Sequence, residues 1–256
     1  MKLKLVKATV QENSAVTDTF VRQNSVKFWL AVVLTGVGAG VSAGALYLLL
    51  EWVQRLMWPG SEVSLLQAAA TSAPWRHLVV RRFATPVMVM GAIGIVSIPF
   101  PQLLGNGRDI AELAFNGGVA PLVLLAIFFL KPLATVFSVR SGAPGGLFTP
   151  SLTLGAMLGG LLGAGWTLIW PGPPAGLYAV LGAAAVLAAT TQGPISTVVL
   201  MIEFTGHDRS FIVPLLVAVS TATLVSRLIE PRSIYDARLS DEQVVARLAA
   251  RAPPAT

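Results

Sequence analysis

The hydrophobic positions of the chain gather into long runs, separated by polar or Gly/Pro-rich breaks. The first run, Phe28 to Met57, is long enough to span a bilayer of about 30 Å with tilt. Gly36, Gly38, Gly40, Ala43 and Gly44 inside it allow another helix to approach closely. Residues 59–82 read as a polar connection, with Pro59, Pro74 and the basic group Arg76, Arg81 and Arg82. A second run, Phe83 to Ile98, ends at Pro99 and Pro101 and is barely long enough to cross. After the polar stretch Gly105 to Gly118, a third run covers Val119 to Val139, interrupted by Lys131 and Pro132. The Gly/Pro-rich break Ser141 to Gly146 leads into an expected helix from Phe148 to Trp170. An Ala-rich segment to Ala189, a short apolar helix ending at Glu203 and a last span, Phe211 to Ile229, complete the pattern.

These segments differ in length, and several are cut by Gly-Pro breaks. Irregular backbone at membrane depth is tolerated where it is buried in protein or lines a cavity. Short, interrupted segments are the sequence mark of a transport site built from half-helix termini. The pattern therefore predicts an all-α fold: a polytopic membrane protein with tilted, broken and re-entrant helices.

Composition strengthens this reading. The chain is 54% hydrophobic and 12% charged, against about 25% charged for a soluble domain. No Asp, Glu, Lys or Arg occurs between Arg140 and Glu203. The net charge of +6 comes from basic residues at the ends and in one loop. That is the cytoplasmic Lys/Arg bias of membrane proteins, not a nucleic-acid surface. The absence of Cys excludes disulfides and thiolate metal sites. His77 and His207 lie in polar turns without ligand spacing, so no metal is expected. No nucleophile–base pair or nucleotide motif appears, which argues against an enzyme. Residues 1–27 lack the apolar core of a signal peptide and read as a cytoplasmic tail; residues 240–256 form a second polar tail.

The stretch Ser141-Gly-Ala-Pro-Gly-Gly-Leu-Phe-Thr-Pro150 carries the most chemistry. Its glycines let backbone approach a ligand, and Pro150 suits a first helical turn. The N–H groups of Leu147, Phe148 and Thr149 would then leave the helix start unpaired. With the positive end of the dipole they make an anion site that needs no fixed charge. Taken alone, the same stretch also reads as an ordinary loop before a helix.

Gly146-Leu-Phe-Thr-Pro150 resembles the Gly-x-Phe-x-Pro motif of the CLC family of chloride channels and chloride/proton antiporters. Gly193-Pro-Ile-Ser-Thr-Val-Val-Leu-Met-Ile-Glu-Phe-Thr-Gly206 and Pro214-Leu-Leu are similar to its penultimate helices. Ser233-Ile-Tyr-Asp-Ala-Arg-Leu239 is similar to its last intramembrane motif. Pro101-Gln-Leu-Leu-Gly-Asn-Gly107 and Leu130-Lys-Pro-Leu-Ala-Thr135 fit as well. The resemblance runs in order from Arg82 to Leu239 and implies the second inverted repeat of the CLC fold for residues 83–239. Residues 28–58 resemble the family's first membrane helix, so residues 59–82 would hold a junction.

What the resemblance implies for function is chloride transport by an integral protein of a bacterial inner membrane. It implies a chloride ion, the only ligand expected, held by Gly146, Leu147, Phe148 and the hydroxyl of Tyr235. Tyr235 also reads as an interfacial aromatic anchor. Lys131 would lend its field to an anion path or snorkel. Glu203 is a proton carrier or, as the family resemblance favours, a structural residue near a dimer surface spanning Gly193 to Ile229. Neither Gly-Ser-Gly-Ile-Pro nor Gly-Arg/Lys-Glu-Gly-Pro occurs in the chain. The resemblance thus implies a form without most of the first repeat, without its chloride-ligating Ser and its gating Glu. Transport would then be passive, and the rival expectation is a truncated, non-transporting membrane protein or dimerisation partner. The basic residues of the tail and of residues 59–82 both favour the cytoplasmic side, yet one span separates them, which predicts frustrated topology.

Overall fold

A computed structural model describes residues 25–57, 75–141, 146–170, 173–205 and 211–236. Eight α-helices occupy them, with no strand among the described residues: α1 (Ser25–Met57), α2 (Trp75–Val96), α3 (Arg108–Phe115), α4 (Pro121–Arg140), α5 (Phe148–Ile169), α6 (Ala175–Thr191), α7 (Pro194–Thr205) and α8 (Ile212–Ile229). Ser25 to Lys27, expected in the N-terminal tail, already belong to α1. Residues 1–24 of that tail, the C-terminal tail and the Gly/Pro break at residues 142–145 lie outside the described residues. So does much of the expected connection 59–82, but its last part, from Trp75, is already helix and continuous with α2. Pro86 sits inside that helix.

Among the described residues four helices are long and apolar enough to cross a membrane: Val26–Val53, Pro121–Val139, Phe148–Ile169 and Ile212–Ile229. The segments Ala84–Val96, Ala175–Thr191 and Pro194–Thr205 are apolar but shorter. At 1.5 Å per residue, the 12 residues of α7 reach about 18 Å, well short of a bilayer core. The expected mixture of full spans and broken, short helices is what the chain forms.

α6 is the hub. A helix that is apolar all round must be covered all round, and every residue from Gly176 to Thr190 is buried. Small residues set the approach of α5. A Cβ at Gly155 would run into the Gly182 carbonyl oxygen, and one at Gly159 into that of Tyr178. This pairing, 155 with 182 and 159 with 178, makes α5 and α6 antiparallel. α4 runs antiparallel to α5 in turn, with Leu124 against Gly160 and Lys131 level with Thr153. α1 is parallel to α8 and antiparallel to α5, for Gly36 faces Ala218, Gly44 faces Ile229 and Gly38 faces Leu158 and Leu162.

These directions bring four termini to one end of the molecule. They are the N-terminus of α5 and the C-termini of α4, α6 and α8, with the C-terminal half of α1 beside them. At the opposite end Lys27 lies 5.1 Å over the Trp170 ring, which pairs with Trp166 at 5.2 Å. Amphipathic aromatic and basic groups of this kind suit a membrane interface.

Candidate functional site

The break at residues 142–145 is followed at once by the start of α5, with Leu147 as N-cap, Phe148 as first helical residue and Pro150 two residues on. Hydrogen-bond donors at a helix start have no partner within the helix, and no side chain caps this one. Ser151, one turn into the helix, donates its hydroxyl to the Leu147 carbonyl oxygen at 2.7 Å. Leu147 is buried, while Phe148 is 40% exposed. A Cβ built at Gly146 meets no described atom within 4 Å. Chemically, the arrangement offers N–H dipoles and no fixed charge, which suits a small anion.

Tyr235 belongs to a short turn that follows α8. Its neighbour Ile234 is buried and donates its N–H to the Thr190 carbonyl oxygen at 2.9 Å. The Ser233 hydroxyl lies 3.5 Å from the Thr190 carbonyl and 3.4 Å from that of Thr191. Ser226 adds a longer contact, 3.4 Å, to the Ala189 carbonyl. The last carbonyls of a helix lack intrahelical donors, and here residues 226–234 supply them. Since α5 and α6 are antiparallel, this C-terminus stands at the same end as Leu147 and Phe148. The fold therefore carries Gly146, Leu147, Phe148 and Tyr235 to one end of the α5–α6 pair. Tyr235 itself is 47% exposed.

α6 ends on Gln192, whose φ of 58° is left-handed although it is not glycine. Its side chain explains how: Nε2 donates to the Ala189 carbonyl at 2.9 Å, and Oε1 accepts from Arg227 Nε at 2.8 Å. The bond to Arg227 ties the α6 terminus to α8.

Lys131 does not snorkel. It is 3% exposed, and its ammonium donates to the Leu103 and Gly105 carbonyl oxygens, both at 2.7 Å, with that of Leu104 at 3.5 Å. The hydroxyl of Thr153 donates to the Gly107 carbonyl at 2.9 Å. Together the two side chains fasten Pro101 to Gly107 across α4 and α5. Gly107 has φ 84° and lies where a Cβ would meet Thr153 Oγ1 at 2.5 Å, so the position is closed to larger residues. Glu203 is exposed near the end of α7, away from the α6 terminus where that helix begins. Its neighbour Phe204 lies 4.7 Å beneath the Arg108 guanidinium.

Sequence reasoning did not find Thr153, Ser233 or Gln192. Each has a partner far along the chain, Gly107 for Thr153, Thr190 for Ser233 and Arg227 for Gln192, and no local pattern signals that.

Full-length spans mixed with short helices whose ends meet at one place define a class: integral membrane proteins built on broken helices. Within that class the chain belongs to the voltage-gated chloride channel family, whose model matches residues 4–227. It is 35% identical over 153 residues to the H(+)/Cl(-) exchange transporter ClcA of Cronobacter sakazakii, covering 59% of this chain and 32% of that protein. It is 33% identical over 158 residues to the same-named transporter of Vibrio cholerae, covering 60% of this chain and 33% of the relative. The chain thus spans about a third of the curated relatives it matches.

Among solved structures, a slow cyanobacterial Cl-/H+ antiporter superposes with a TM-score of 0.60 at 25% identity, covering 88% of this chain and 47% of its own. That coverage is more than residues 83–239 amount to, so the likeness extends beyond the second-half segment. A eukaryotic CLC transporter shares the fold, with a TM-score of 0.61 at 24% identity over 84% of this chain and 35% of its own.

Proposed function

We propose that the chain is a CLC-type anion transport module that binds chloride at the N-terminus of α5. The N–H groups of Leu147 and Phe148, with the flexible backbone of Gly146, take the ion, and the Tyr235 hydroxyl donates to it from the other side. The single observation that carries this reading is the convergence of an uncapped helix start and the Tyr235 turn on one end of the α5–α6 pair. Lys131 serves this site indirectly by fastening the loop 101–107 to α4. Glu203 has a structural role, not a proton-carrying one.

Transport is passive, since the sequence holds no gating-glutamate motif. The relatives named as H(+)/Cl(-) exchange transporters support chloride as the ion. Location in a bacterial inner membrane, and a role in transport and not catalysis, belong to the same reading, and the kinship supports them. A homodimer through Gly193 to Ile229 is supported by the large apolar side chains that α7 and α8 leave uncovered, Ile195 at 78% and Leu224 at 63% among them.

Reconstitution in liposomes tests the proposal. Chloride efflux above that of protein-free vesicles, with no proton movement against a chloride gradient, is the expected result. Efflux equal to empty vesicles would leave the rival, a non-transporting dimerisation partner. Uphill proton movement would refute passive transport.

A further inference from the structure

α1 enters the anion end of the fold through its C-terminal half. Its contact with α8 is made by glycine. A Cβ built at Gly36 lies 2.8 Å from the Ala218 carbonyl oxygen, one at Gly40 lies 2.7 Å from that of Ala222, and one at Gly44 lies 2.8 Å from the Ile229 side chain. Backbone packing this close fixes where the next turn of α1 falls. That turn carries Tyr47, which is 5% exposed.

Over the Tyr47 ring, at 5.5 Å, lies the guanidinium of Arg232. Arg232 Nε donates to Glu230 Oε1 at 3.0 Å, and the same oxygen accepts the Arg232 backbone N–H at 3.2 Å. The Glu230 side chain is 13% exposed. A cavity of about 10 Å³ remains between Tyr47, Thr190, Ser226, Glu230, Arg232 and Ile234, room for about one water molecule. Two residues beyond Arg232, the Ile234 N–H rests on the Thr190 carbonyl, and the next residue is Tyr235.

We infer that α1 is the positioning helix of the anion site: Tyr47 holds Arg232, and Arg232 sets the turn Ser233–Tyr235 against the C-terminus of α6. The importance of this latch for an ion rests on the reading of Tyr235 as a ligand. The latch itself rests only on the packing around Thr190. Tyr47 and Arg232 are positioning residues, and neither is placed against the ion. A cation is attracted to an aromatic face even at a partly exposed site, and the Arg232 side chain is 35% exposed. Glu230 satisfies the guanidinium at the same time, so the cluster holds its charge without leaving it bare. The arrangement gives α1 a task within the domain that its apolar run alone does not announce.

The test is amide hydrogen exchange of the full chain in lipid nanodiscs, read at Ile234, with chloride affinity measured on the same samples by calorimetry. Tyr47→Leu and Arg232→Met should each accelerate exchange at Ile234 about tenfold and weaken chloride binding several-fold. Tyr47→Phe keeps the ring and Arg232→Lys keeps a cation, so both should remain close to the unmodified protein. Exchange in the middle of α5 and α6 should not change in any of the four. The inference is overturned if Ile234 is unaffected in both disruptive variants. It is also overturned if α5 and α6 exchange faster to the same degree, since the substitutions would then loosen the whole fold. Should the unmodified chain bind no chloride while Ile234 responds as expected, the reading of the anion site fails and the latch stands.

Discussion

At the residue scale, the buried polar side chains among the described residues divide into those with partners and one without. Lys131 belongs to the first group, with its ammonium on the Leu103 and Gly105 carbonyls. Replacing it with Met would leave the Leu103 carbonyl buried and unpaired, at about 1–3 kcal/mol, while the Gly105 carbonyl, on an exposed residue, can turn to solvent. Lys131→Met should therefore lower the thermal midpoint in detergent by several degrees, and an unchanged midpoint would show that the bonds contribute nothing. Tyr178 is the opposite case. It is 1% exposed, and its hydroxyl has no hydrogen-bond partner among the described residues. Tyr178→Phe removes that unpaired group without changing the ring, so it should be neutral or stabilising by about 1 kcal/mol; a clear loss of stability would contradict this. The sequence shows that Lys131 is an anomaly within an apolar run, but not what it meets. Its acceptors lie 28 and 26 residues back along the chain, beyond the reach of any local pattern. The helix start at Leu147 and Phe148 is legible because Gly, Pro and the following apolar run are neighbours in sequence.

At the scale of elements, the spans at Pro121, Phe148 and Ile212 are readable from hydropathy because each is long, apolar and bounded by breaks. α2 is harder. It begins at Trp75, within residues whose Arg76, Arg81 and Arg82 read as connection, because helical hydrogen bonding tolerates basic residues that hydropathy excludes. The α5–α6 contact is legible only in part: the glycines are visible, but which of them meets a partner is not. Gly159 meets the Tyr178 carbonyl, whereas Gly165, on the same helix, has nothing within 4 Å of an added Cβ. Gly159→Ala should then cost about 1–3 kcal/mol through overpacking, while Gly165→Ala should be neutral or better by up to about 1 kcal/mol. Equal effects of the two on thermal stability would show that the helices are not packed through Gly159. The same reasoning explains why α1 reads as a separate span in sequence yet joins the rest, since Gly36, Gly40 and Gly44 find their partners on a helix far along the chain.

At the scale of the whole molecule, the uncovered apolar surface of α7 and α8 must face lipid or a second copy. With no Cys in the chain, single cysteines are clean reporters. Ile195→Cys or Leu224→Cys should give a disulfide-linked dimer on mild oxidation in membranes. Leu122→Cys, on the 78%-exposed Leu122 of α4, should remain monomeric on a denaturing gel. Monomer at all three positions would remove the proposed dimer surface. The proposed chloride site is the central claim, because the chain spans only about a third of the transporters it matches. A crystal grown or soaked in bromide addresses that claim most directly, through the anomalous signal of the ion. The account predicts one bromide peak within hydrogen-bonding reach of the Leu147 and Phe148 N–H groups, with the Tyr235 hydroxyl turned toward it. A fully soaked crystal with no peak at that helix start, or with bromide bound only elsewhere, would contradict it.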